Sequence, residues 1–333
     1  MNDSKKLKVG VVGTGHLGSL HAKMFSTLAS VRLVGIHDAD RAKGAKVASE
    51  LGTRHYETVD QLLEDAEAVS VATTTKTHYN VASKALEAKR HVFIEKPITA
   101  TIAEAQDLVK TAEAGKLTIQ VGHIERFNPA ILALEDYHLQ PLFIESHRLA
   151  QFNPRGTDVA VVLDLMIHDI DLILSLVKSE VTRIDANGIA VVSESADIAN
   201  ARLQFENGCV ANVTASRISQ NKMRKMRLFQ RNAYISIDFA QGLAEVFRLV
   251  DENDPHVKST MLLGEIDQGT RKRAIVYEQP EVKDVNAMQV ELDLFVASVL
   301  NGTEPVVSGR DGLQALEVAQ KILQTIDAKT VRA

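Results

Sequence analysis

Residues 161–177 read VVLDLMIHDIDLILSLV, an apolar run interrupted by Asp164, His168, Asp169 and Asp171. At about 100° per residue, positions 164, 168 and 171 share a helical sector of roughly 60°, and Asp169 falls outside it. The pattern predicts one helix over about 159–177 with a polar stripe, and with Asp169 at the surface or in a salt bridge. Burying such groups unpaired costs several kcal/mol each, so the stripe must meet partners, water or a ligand. Asp164 and His168, four apart, are within hydrogen-bonding reach on a helix. A carboxylate that orients an imidazole and raises its basicity makes a general base suited to neutral pH. A self-satisfied structural Asp–His pair fits the same spacing.

Lys96, in the stretch FIEKP, closes a predicted strand. At the C-terminal end of a parallel strand its ammonium can hold a substrate hydroxyl or stabilise a developing alkoxide. A surface lysine before a turn proline gives the same letters. Gly13-Thr14-Gly15-His16-Leu17-Gly18 is a G-x-G-x-x-G that follows one predicted strand and opens a helix. Its glycines allow a tight turn and close approach of a pyrophosphate to the helix N-terminus. Asp38 ends the second strand, where an acid binds ribose hydroxyls. A glycine turn with a helix-capping aspartate is the plainer alternative. Read as a cofactor site, Asp38 favours NAD over NADP, because a carboxylate repels a 2′-phosphate; Arg41 close by weakens that preference.

The elements that would position these groups fall into two grammars. Up to residue 122, apolar strands (LKVGVVGTG, VRLVGIHD, AVSVATTT, HVFIEKP, LTIQVGH) alternate with helical segments, which indicates a doubly wound parallel sheet. From residue 123 the strand-like runs lengthen and alternate polar with apolar: PLFIESHRLAQF, ADIANARLQFENGCVANVTASRI, AYISIDFAQGLAEVFRLV. That favours a largely antiparallel sheet, with a hairpin turning at Gly208. The expectation is therefore α/β: an N-terminal Rossmann domain over 1–122 and a C-terminal α+β domain with an open sheet over 123–333.

Bulk properties narrow the classes. A net charge of −5 gives no reason to expect nucleic acid or an anionic membrane as partner. The densest basic run, Lys222–Arg227, reads as a solvated loop or a strand edge, or as a means of neutralising a phosphorylated substrate. One cysteine, Cys209, allows no internal disulfide and suits a reducing cytoplasm. No metal is expected, since the eleven histidines are scattered and no H-E-x-x-H occurs. Nor is there a G-x-S-x-G for nucleophilic catalysis.

GTGHLGSLH, FIEKPI, GHIERFNP and DLMIHDIDL, in that order, resemble the glucose-fructose oxidoreductase/inositol dehydrogenase (Gfo/Idh/MocA) family over essentially the whole chain. The resemblance implies an NAD(P)-binding Rossmann domain and a second domain that carries the substrate site and supports a homodimer or homotetramer. It implies that His168 takes the hydroxyl proton as hydride leaves the same carbon, that Asp164 orients His168, and that Lys96 holds the reacting oxygen. It also implies cofactor contacts by Thr73, Thr74, His78 and Glu95. The usual Thr-Pro is missing from ATTTKTH, which puts the threonine contacts in doubt.

GHIERFNPA and RGTDVAVVLDLMIHDIDLI are most similar to members that oxidise UDP-sugars, notably UDP-N-acetylglucosamine, at C3. Arg126, Asn128 and Arg155 are the corresponding substrate-binding candidates, guanidinium groups being suited to bidentate contact with phosphate or carboxylate. Structural roles, Arg126 bridging domains and Arg155 serving a loop, are the alternatives. A polyol or free-sugar dehydrogenase of the inositol type is a second enzymatic reading. A non-enzymatic NAD-binding regulator is a third, which loss of the lysine or histidine would have favoured.

Overall fold

The computed structural model describes residues 6–153, 159–251, 261–267 and 272–330. Six strands form the first sheet: β1 (Leu7–Val12), β2 (Val31–His37), β3 (Arg54–His55), β4 (Ala68–Val71), β5 (His91–Glu95) and β6 (Ile119–Gly122). They lie in the order β3-β2-β1-β4-β5-β6, with every pair parallel. Helices α1 (His16–Thr27), α2 (Arg41–Glu50), α3 (Val59–Asp65), α4 (Thr75–Glu87) and α5 (Ile102–Gly115) connect them. Helices on both faces explain why β4 is buried at all four positions and why these strands read as unbroken apolar runs. Strand order reverses between β1 and β4, which opens a crevice at their C-terminal ends. Local caps set the helix starts: the Asp40 carboxylate accepts from Ala42 N and Lys43 N, and Thr101 with Glu104 forms a capping box.

The second sheet has nine strands among the described residues. These are β7 (Phe143–Leu149), β8 (Val181–Ile189), β9 (Ile198–Phe205), β10 (Val210–Ser216), β11 (Met223–Gln230), β12 (Ala233–Asp238), β13 (Leu243–Asp251), β14 (Met261–Asp267) and β15 (Lys272–Glu278). Their order is β14-β15-β13-β12-β11-β7-β10-β9-β8; only β7 and β10 pair in parallel. Alternation holds along the strands: Ile144, Ala201, Val213, Leu228 and Ile235 are buried, with half-buried or exposed neighbours on either side. Between β6 and β7 lie a 3₁₀ turn (Ile124–Phe127) and the short α6 (Pro129–Leu132), and α7 (Ile167–Val177) precedes β8. The expected hairpin at Gly208 joins β9 to β10, with φ +85° at that glycine.

One run resolves into two strands, and another departs in part from its reading. AYISIDFAQGLAEVFRLV is a hairpin, β12 and β13, turning at Gly242 with φ +62°. Of the basic run, Lys222 is an exposed loop residue as read, whereas Met223–Arg227 lie not at a strand edge but in β11, between β12 and β7. There Lys225 pairs with Asp238 at 3.2 Å, Arg227 with Glu145 at 3.4 Å, and Arg224 with Glu125. Neighbouring carboxylates neutralise each cation, so an interior strand can carry them.

The late helices α8 (Ala287–Asn301) and α9 (Gly309–Thr330) redraw the division at 122/123. Leu292, Phe295 and Val296 of α8 share one core cluster with Ala22 and Phe25 of α1 and Val9 and Val11 of β1. Phe295 meets Phe93 edge-on at 5.7 Å, and Gln120 Nε2 donates to Glu291 O at 2.9 Å. At Gly312 of α9 a Cβ would stand 2.6 Å from Val121 Cγ2, so only glycine lets the helix approach β6 this closely. Asn286–Glu317 accordingly belongs to one compact unit with the chain up to Ile124; Glu125–Val285 with residues from Val318 is the other. No helix among the described residues is long and apolar enough to cross a membrane.

Phe295 is fully buried, so Phe295→Ala should destabilise the first unit by about 3–5 kcal/mol. Urea titration followed by probes in each unit checks this. An unchanged midpoint for the first unit would remove α8 from its core.

Candidate active site

At the switch point, Gly13, Gly15, His16, Leu17, Asp38, Thr73 and Thr74 line one groove of about 580 Å³, within the range of small-molecule sites. The three glycines do different work. Gly13 has φ +89° and turns the chain away from β1. Gly18 packs so tightly that a Cβ would stand 1.9 Å from Gly13 O, whereas a Cβ at Gly15 would meet nothing within 4 Å. The open face at Gly15, at the N-terminus of α1, fits a pyrophosphate. Leu17, 39% exposed, adds an apolar wall.

Asp38 has a task that its position alone did not disclose. Its Oδ2 accepts from Thr14 N at 2.5 Å and Thr14 Oγ1 at 2.7 Å, and its Oδ1 accepts from Asp40 N at 2.8 Å. Burial pushes this carboxyl up, but the bonds from Thr14 and Asp40 and the charge of Lys43 outweigh it and hold it below the ordinary value. Asp38 therefore staples the glycine turn to the end of β2, as an anion with acceptor capacity left for ribose hydroxyls.

Thr14, Gly18, His78 and Glu95 sit outside the groove lining. His78, on α4, is buried with Nδ1 3.0 Å from Pro97 O and Nε2 3.2 Å from Thr73 O. Burial pushes its imidazole below the ordinary value despite those bonds. Glu95 Oε1 lies 3.1 Å from Nε2 of the fully buried His21, and its Oε2 accepts from Lys96 N at 3.3 Å. Lys96 itself is half-buried. His21 was missed in the sequence. The signal was present: Gly18, His21, Ala22 and Phe25 form the buried stripe of α1, and an imidazole on such a stripe needs a partner.

The polar helix of the second unit is not uniform. Val162–Met166 form a π-turn, in which Ile167 N reaches Val162 O, and α7 begins only at Ile167. The uniform 100° wheel drawn over 159–177 thus fails across its first third. Such widened turns recur at functional sites. Asp164, within the turn, and His168, just after it, are half-buried, whereas Asp169 and Asp171 are buried. Asp171 receives a bidentate Arg126, with Nε–Oδ2 2.8 Å and Nη2–Oδ1 2.6 Å. Asp169 receives Arg148, with Nε–Oδ2 2.7 Å and Nη2–Oδ1 3.2 Å, together with the Ser146 hydroxyl at 2.9 Å. Of the two placements read for Asp169, the salt bridge is the one observed.

Those pairs extend into one network. Glu125 accepts from Arg148 Nη1 at 3.0 Å and from Arg224. Burial alone would push the Arg148 guanidinium down; Asp169 and Glu125 hold it above its ordinary value. Asn128 donates to Glu125 Oε2 at 3.4 Å and to Phe239 O at 3.3 Å, and its Oδ1 accepts from Ala130 N at 3.1 Å. Arg126 and Asn128 are thus bound into the protein's own scaffold. Arg155 lies outside the described residues. Glu125 and Arg148 were not singled out in the sequence, and Arg224 only as part of a basic run, because their pairing joins segments far apart in the chain.

A fingerprint turn at the switch point of a 3-2-1-4-5-6 parallel sheet defines a dinucleotide-binding Rossmann fold, and the profile described as "Oxidoreductase family, NAD-binding Rossmann fold" matches residues 7–123. The profile of the GFO/IDH/MocA C-terminal domain matches residues 102–236. A UDP-N-acetylglucosamine 3-dehydrogenase of Acidithiobacillus ferrooxidans is 34% identical over 97% of this chain and 98% of its own. Its solved structure superposes with a TM-score of 0.86 over 97% of this chain and 98% of that one, at 33% identity. A myo-inositol 2-dehydrogenase of Thermotoga maritima is 24% identical over 97% of both chains. This chain belongs to the Gfo/Idh/MocA family and is an NAD-dependent dehydrogenase acting on CH–OH groups.

The contrast between two glycines gives an expected outcome. Gly15→Ala should leave the melting temperature of the apoprotein unchanged and weaken NAD binding tenfold or more, about 1.4 kcal/mol. Gly18→Ala should lower the melting temperature, because its methyl meets backbone. Calorimetry with NAD and thermal melts read both; undiminished NAD affinity in Gly15→Ala would remove the pyrophosphate from this face.

Proposed function

We propose that the protein oxidises a secondary hydroxyl of a nucleotide sugar, at C3 of UDP-N-acetylglucosamine or its uronate. The likeness over nearly the full length of both chains to a UDP-N-acetylglucosamine 3-dehydrogenase carries this reading. NAD, when bound, supplies the hydride acceptor. The reacting carbon loses its C–H bond and the hydroxyl its O–H bond as the carbonyl forms. His168 takes the proton on its imidazole, Asp164 orients that ring, and Lys96 donates a hydrogen bond to the oxygen as negative charge develops on it. Arg126 and Asn128 serve the substrate by holding the helix rather than by touching the sugar, since Asp171, Glu125 and Phe239 O occupy them. Arg155 is the guanidinium left for the diphosphate.

The protein acts in this reading as a cytoplasmic homodimer or homotetramer. The second sheet supports the oligomer. Phe143, Phe229, Tyr234, Phe247 and Tyr277 stand in a row across five strands, with ring centroids 5.0–5.8 Å apart. None of the five is buried, and Phe229 is 37% exposed. A second copy presenting the same row would cover it. Phe229→Glu should shift sedimentation towards monomer; unchanged sedimentation of an oligomer would place the contact elsewhere.

The activity is tested by NADH absorbance with NAD and UDP-N-acetylglucosamine, its uronate, inositol and glucose. An aminotransferase trap with mass spectrometry for a 3-amino product locates the carbon. Turnover of a UDP-sugar alone is expected, with Lys96→Ala and His168→Ala lowering it at least roughly 100-fold while NAD still binds. Turnover of inositol or glucose alone would assign a polyol dehydrogenase, the activity named for the Thermotoga maritima relative. Undiminished turnover in both variants would end the mechanism, and silence across the panel with NAD bound would favour a regulator.

A further inference from the structure

Beyond the glycine turn and Asp38, the groove at the switch point is lined by His37, Ala39, Val59, Thr77 and Val81. A dinucleotide with its pyrophosphate on Gly15 and its ribose hydroxyls on Asp38 brings its adenine to these residues next. Val59 and Val81 are partly buried and pack against the cluster of Val12, Tyr56 and Leu62. They supply an apolar wall for the flat face of a base. Apolar burial is non-directional, so that wall does not tell one base from another.

His37, the last residue of β2, can. Its Nδ1 lies 3.0 Å from Tyr56 O. A carbonyl oxygen only accepts, so Nδ1 carries the single proton of the neutral ring and Nε2 is left as an acceptor. Nε2 has no partner among the described residues and is not a buried atom. The tie is anchored at its far end, because Tyr56 is buried and its own N–H donates to Ile36 O at 2.8 Å, one residue before the histidine. Lacing β2 to the segment after β3 uses Nδ1 alone. The ring that lines the groove therefore has a fixed tautomer and one acceptor unspent.

On the base of adenosine the only N–H donor is the N6 amine, and N3 and N7 accept. We propose that His37 reads the base of the cofactor, with Nε2 accepting from the adenine N6 amine, so that the protein selects adenine over 6-oxopurine dinucleotides. Hypoxanthine and guanine carry a carbonyl oxygen at that position, and two acceptors would then face each other without a proton between them.

The test is calorimetry at about pH 8.5, where an ordinary imidazole is neutral, with NAD and nicotinamide hypoxanthine dinucleotide. These two share the riboses, the pyrophosphate and the nicotinamide. The full-length parent should hold NAD roughly 5- to 10-fold more tightly, as one neutral hydrogen bond allows. His37→Leu should bring the two affinities within about twofold of each other, through weaker NAD binding. His37→Asn, whose shorter amide can still donate to Tyr56 O but does not extend to the place of Nε2, should lose the preference while keeping the melting temperature of the apoprotein. A parent that binds both dinucleotides equally overturns the proposal, and so does a preference that survives in the variants. Equal weakening of both dinucleotides, with the ratio intact, also overturns it and leaves His37 as a tie between β2 and the chain after β3. If His37→Leu does not fold, His37→Asn decides. No sugar enters the measurement, so its outcome is independent of the proposed substrate.

Discussion

The helix that carries Asp164 and His168 can be buried only because arginines from other segments meet its other two carboxylates. A buried ion pair roughly breaks even against an apolar contact, but one without its partner is strongly destabilising. The pairs Arg126–Asp171 and Arg148–Asp169 therefore act as locating pins: any placement of α7 that separates them strands a charge. Glu125, accepting from Arg148 and Arg224, carries the constraint to the ERFN segment and to β11. The acidic residues of this segment thus differ in kind: Asp169 and Asp171 fix the helix, whereas Asp164 and His168 are half-buried.

The Rossmann unit solves a related problem by different means. Its groove needs a backbone that approaches a pyrophosphate without steric obstruction, and the arrangement at Gly13, Gly15 and Gly18 provides this through one positive φ, one open face and one close contact. Asp38 holds that turn from β2 through two bonds to Thr14. The same residue is thereby both part of the scaffold and a candidate ligand for the cofactor.

What the sequence disclosed was local. The glycine fingerprint, the acid after β2, the change of grammar near residue 122 and the turn at Gly208 each depend on a few adjacent residues. What it withheld was non-local. Arg224 meets Glu125 across 99 positions, and no spacing rule ties a basic run to a carboxylate that distant, so β11 was read as loop or edge. The return of α8 to the core of α1 was hidden likewise, since an apolar helix does not name the surface it packs on. The π-turn escaped because hydrophobic periodicity assumes one angular step throughout. Arg126 illustrates the limit most plainly: its residue type suggested phosphate, and only coordinates reveal that Asp171 holds it.

The single parallel pairing in the second sheet bears on how that unit assembles. Hairpins β9–β10 and β11–β12 close from nearby residues, whereas β7 must insert between them from far upstream, at the entropic cost of a long loop. Ser146 and Arg148, which anchor Asp169, lie on β7. Seating α7 with Asp169 satisfied therefore requires β7 to be in place, so the central parallel seam and the polar helix depend on one another.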